Sequence, residues 1–100
     1  MSASSTQKRK IQDVLETIKR AVEAKNPVNA LTVLENIAKE ANVYVKFKME
    51  DVLALYVENL PHTIGYEITV IMRNGVAVVY ELFRDREDYI ERVQLYVRRV

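Results

Sequence analysis

The chain carries few residues able to do chemistry. His62 is its single histidine and cysteine is absent, so the usual zinc ligand sets and a thiolate nucleophile are both out of reach. Ser2, Ser4 and Ser5 have neither the flanking glycines of a nucleophile elbow nor a histidine nearby. Gly65 and Gly75 stand apart, whereas a phosphate-cradling loop needs clustered glycines so that backbone amides can approach the anion. Asp85, Glu87 and Asp88 offer oxygen to a hard cation, but their spacing matches no calcium loop and better suits the positive end of a helix dipole. These residues lead to the expectation of a non-catalytic chain with no cofactor, no metal and no evident small-molecule substrate.

The basic residues offer more. Tyr44, Lys46 and Lys48 alternate, so an extended strand would present an aromatic surface and two cations on one face, as single-stranded nucleic acid requires. Lys8, Arg9 and Lys10 make the N-terminal segment locally basic, and Arg73 adds a cation at a turn. A nucleic-acid interface built from Lys8, Arg9, Lys10, Tyr44, Lys46, Lys48 and Arg73 is therefore the alternative reading. Against it stand a net charge of only +1 and the lack of any zinc-finger, RNP or GXXG pattern. Lysines on an edge strand also serve simply to block aggregation.

Composition frames both readings. One hundred residues, 49% hydrophobic and 29% charged, suit one folded domain with a single core. No apolar run reaches the roughly 18 residues of a membrane span, and Met1 to Thr6 lack a leader-like apolar stretch, which leads to a cytoplasmic expectation. The sparse glycine and proline and the Lys-, Glu- and Arg-rich surface also suit a thermophile.

The elements follow from periodicity. Residues 1–6 read as a disordered tail and 7–100 as one α+β domain. Ile11, Val14, Leu15, Ile18 and Val22 recur at helical spacing over 7–25, with Ser4 and Gln7 as a capping box and Glu16 paired to Arg20. Asn26-Pro27 starts a second helix, striped by Val28, Leu31, Leu34, Ile37, Ala38 and Ala41, and the short link makes a helical hairpin. Val43, Val45 and Phe47 alternate as a strand; Val52, Leu53, Tyr56, Val57 and Leu60 return to helical spacing until Pro61.

Asn74-Gly75 then marks a β-hairpin of 64–73 and 76–84 with a two-residue type I′ turn. That register places Tyr66, Ile68, Val70, Met72, Ala77, Val79 and Phe83 on the core face. The second face would carry Ile71, Val76, Val78, Tyr80 and Leu82, more apolar than a solvated surface. Asp85 would cap a terminal helix striped by Tyr89, Ile90, Val93, Tyr96, Val97 and Val100, with Asp88 paired to Arg92.

The predicted order is α-α-β-α-β-β-α: a helical hairpin, then a three-stranded sheet with the split βαβ order of half a ferredoxin-like fold, closed by a C-terminal helix. Excess apolar surface makes a protein-interaction domain the leading expectation, a homodimer or an accessory subunit of a larger assembly. Its predicted contacts are Ile71, Val76, Val78, Tyr80, Leu82, Tyr89, Val93 and Tyr96. The same apolar face would instead be core if the helical hairpin covered it within one chain.

Overall fold

The computed structural model describes residues 9–100. The expected tail, the Ser4/Gln7 capping box and Lys8 lie outside the described residues. Two helices, α1 (Ile11–Glu23) and α2 (Val28–Glu40), precede an antiparallel meander of β1 (Val52–Asn59), β2 (Gly65–Met72), β3 (Val76–Arg84) and β4 (Ile90–Arg99), paired in that spatial order. The three-stranded sheet, the split βαβ order and the C-terminal helix are thereby corrected. Both helices lie before the sheet and none follows it.

The helical hairpin forms for the reasons its sequence suggests. The Asn26 side chain accepts from the Val28 amide at 3.2 Å, and Glu16 meets Arg20 at 3.0 Å. Both helices stop in the same way. Lys25 and Asn42 take positive φ angles of 57° and 63°. The following amides, of Asn26 and Val43, reach back to the carbonyls of Ala21 and Ala38, closing otherwise orphaned helix ends.

Residues 43–48 join no ladder. Phe47 turns into the core, its amide donating to the Glu35 carboxylate at 2.7 Å and its ring lying 6.5 Å from that of Tyr80. The alternation is real but serves a strap. Residues 52–57 are apolar without interruption, which fits a helix stripe and a strand equally, and pairing with β2 decides for the strand. The same holds for β4. Val93, Leu95 and Val97 alternate there, and β3 supplies the partner that a local reading cannot see. Asp85 accepts from the amides of Glu87 and Tyr89, shaping the turn into β4 rather than a helix start, and Asp88 pairs with Arg84 at 3.1 Å rather than with Arg92.

The hairpin register shifts by one residue. Ile71 pairs with Ala77, leaving Arg73, Asn74 and Gly75 as a three-residue connection with Gly75 at φ 82°. A shift of one turns every side chain of β3 to the other face. The helix-covered face thus carries Tyr66, Ile68, Val70 and Met72 with Val76, Val78, Tyr80 and Leu82, while Ala77, Val79 and Phe83 go to the open face. The core lies between the helices and this face, where Ile11, Val14, Ile18, Leu34 and Ile37 meet Ile68, Val70, Tyr80 and Leu82. Each fully buried aliphatic side chain contributes about 1.5–3 kcal/mol.

Tyr80 is the odd member of this core. Its hydroxyl is buried without a hydrogen-bond partner among the described residues. Burial, and secondly the negative charge of Glu35, push its ionisation above the usual 10.0. Because the unfolded chain ionises first, stability is intact below that value and falls as pH rises past it. Tyr80→Phe is expected to gain about 1 kcal/mol in urea unfolding at neutral pH and to lose less in alkali. A less stable variant would show that the hydroxyl has a partner in solution.

Candidate interaction surface

The sheet has two edges with different chemistry. At β4, Glu91, Arg92, Arg98 and Arg99 supply charge, and the start of the strand is covered: the Ile90 amide donates to the Arg9 carbonyl at 2.8 Å and Lys10 bridges to Tyr89. Charged and covered edges resist pairing with another chain. Among the described residues the outer side of β1 pairs with no other strand. Its residues 52–57 contain neither charge nor proline, and Glu58 is the strand's single charged residue.

Beside that edge runs an apolar groove of about 460 Å³, lined by Leu15, Ile18, Lys19, Val22 and Glu23 of α1 and by Leu55 and Val57 of β1. Its floor follows from the two periods meeting. Helical spacing sends Leu15, Ile18 and Val22 downward, while strand alternation sends Leu55 and Val57 upward. No further strand fills the gap among the described residues. Val22 remains 48% exposed, Val57 41% and Leu53 55%, although all three are aliphatic. Sequence reasoning missed this site because it took 50–60 as a helix. The signal available was the run of six apolar residues without a lysine.

The open face of the sheet is a second surface. In its central row Tyr56 and Tyr96 are exposed while Thr69 and Val79 between them are buried, and Glu58, Glu67 and Glu81 lie opposite one another in the adjacent row. Tyr96 donates to the Glu67 carboxylate at 3.4 Å. Partial desolvation first, and then the negative field of Glu67 and Glu81, raise the ionisation of its phenol above the ordinary value. The row of three carboxylates gives the middle of this face a negative field, with Arg92 and Arg98 on the same face to either side.

The predicted contact residues scatter. Tyr80 and Leu82 are fully buried, Val76, Val78 and Val93 are half-buried on the helix-covered face, and Tyr89 sits in the turn before β4. Ile71 and Tyr96 do face the open side. The cause is the one-residue shift together with the conversion of a helix stripe into an alternating strand. Val93 and Tyr96, neighbours on a helix, lie on opposite faces of a strand.

The basic residues divide as well. Arg9 is paired with Glu40 at 3.0 Å and Lys10 lies over the Tyr89 ring, both at the start of β4. Arg73 lies at the other end of the sheet, where its amide donates to the Asp51 carbonyl and its guanidinium to the Glu50 backbone carbonyl, and the Asp51 amide in turn donates to the Lys48 carbonyl. Tyr44 is 88% exposed, and Lys46 and Lys48 point outward from the strap, but the two basic groups are separated by the length of the sheet. Among the described residues no group of His, Asp and Glu is set to hold a metal, and no helix is long and apolar enough to cross a membrane. Compared with family models, characterised proteins and solved structures, the chain finds no match in any of the three.

Proposed function

We propose that the chain is a non-catalytic protein-interaction domain that accepts an extended strand along β1. One observation carries this reading: an unpaired edge without blocking charges runs beside an apolar groove that α1 and β1 leave unfilled. Strand addition satisfies the free amides and carbonyls, while alternate side chains of the incoming strand enter the groove and so give specificity. The three exposed aliphatic residues gain a purpose. Nucleic-acid binding remains the weaker proposal, since its cations sit at two ends of the sheet.

The test uses a labelled extended peptide alternating valine with threonine, flanked by lysines for solubility. Its fluorescence anisotropy should rise on addition of the protein. Val57→Lys places an inward charge on the edge and should abolish the rise, with circular dichroism unchanged. No rise with the unsubstituted protein sinks the reading.

A further inference from the structure

The occupant of this edge can be specified, on the strength of the strand-addition reading. We infer that a second copy of the chain binds there, its β1 antiparallel to the first, about a two-fold axis perpendicular to the sheet that passes midway between the two copies' Tyr56 residues. Such an axis keeps both helical layers on the same side and joins two four-stranded sheets into one of eight.

The charges on α1 select this partner. Lys19 and Glu23 stand one turn apart on the rim of the groove, and neither has an ion-pair partner among the described residues. Across the axis two antiparallel copies of α1 set Lys19 against the second copy's Glu23, and Glu23 against the second copy's Lys19. Opposite charges one turn apart on one helix are self-complementary only when the helix meets itself reversed. Between these pairs Val22, otherwise exposed, would be covered by its counterpart.

The strand register agrees. Leu55 and Val57, the two groove residues of β1, flank Tyr56, so centring the axis there brings both grooves to the seam. Leu55 then faces the second copy's Val57, and Glu58 faces its Ala54 rather than another carboxylate. Tyr56, 53% exposed in one chain, faces its own counterpart on the open side, an aromatic cross-strand pair. Pairing of β1 with β4 of another copy would be heterologous and would extend into a filament, but the charges and the covered start of β4 oppose it. Pairing of β1 with itself closes.

Light scattering over micromolar to millimolar concentration at low salt reads the outcome. The unsubstituted chain should pass from monomer to dimer. Lys19→Glu and Glu23→Lys each turn both reciprocal contacts from attraction to repulsion and should weaken the dimer about ten-fold. The double substitution restores opposite charges and should return the dissociation constant to within about two-fold of the original. The inference is overturned by a chain that stays monomeric, by a dimer indifferent to both single changes, or by a double variant that stays as weak as either. A monomer that still takes up the valine-threonine peptide removes the second copy as occupant and leaves the strand-accepting edge intact.

Discussion

Leu82→Asp is expected to unfold the protein rather than to dissociate it. Leu82 is fully buried on the helix-covered face, opposite Tyr66 on one side and Val93 on the other. The substitution removes a core side chain, at about 2–5 kcal/mol, and leaves a carboxylate in an apolar site with no cation provided for it. The sum approaches the whole stability of a small domain, about 5–15 kcal/mol. Circular dichroism should show loss of the helical signal at every protein concentration, and urea unfolding should have no resolved native baseline. A folded monomer of normal stability would mean that Leu82 faces a partner, and with it that the β2–β3 register is the one a two-residue turn would produce. This single change therefore tests which face of β3 is core.

Gly65→Ala should cost nearly as much, for a reason that has nothing to do with burial energy. A methyl group at position 65 would overlap the Leu82 carbonyl oxygen and lie 3.1 Å from the Phe83 Cα. Those atoms belong to the backbone of the neighbouring strand, so no side-chain rotation relieves the contact. Gly65 also accepts from the Leu60 amide at 2.9 Å, and the adjacent Ile64 carbonyl accepts from Arg84, so the strand end is held on both sides. Overpacking against backbone of this kind is expected to cost about 3 kcal/mol or more. For a chain of this size that lowers the melting temperature by at least about 12 °C. Gly75→Ala is the matched control, because nothing lies within 4 Å of its missing Cβ. That variant should suffer only the modest strain of its positive φ angle. Equal losses in the two variants would show that the approach at Gly65 is looser than the structure has it.

Both expectations concern the meander, where reading residues in order and seeing them folded lead to different answers. Ile11 to Val22 and Val28 to Ala38 place their apolar groups at helical spacing over three turns and more, and Asn26-Pro27 separates them. A helix makes its hydrogen bonds within itself, so such a pattern is decided locally, and the hairpin of α1 and α2 was legible. The turn at Asn74-Gly75 was legible for the same reason, as positive φ at Gly75 is a property of that residue. Its length was not, and one additional residue moved Tyr80 and Leu82 from the expected contact face into the core.

Residues 52–59 and 90–99 show the other case. Val52, Leu53, Tyr56 and Val57 fit a helix, while Leu55 and Val57 fit a strand; Ile90, Val93 and Val97 fit a helix, while Val93, Leu95 and Val97 fit a strand. A strand's hydrogen bonds go to another part of the chain, so the choice belongs to whether β2 and β3 present edges to be paired. They do, and both segments were drawn into the sheet. The candidate site is wholly of this second kind. The sequence alone determined the helical hairpin of α1 and α2 and the presence of a turn at Asn74-Gly75. Only the tertiary structure decided which strand stands at the open edge and that α1 leaves a groove beside it, because an edge exists only once every other strand has found its partner.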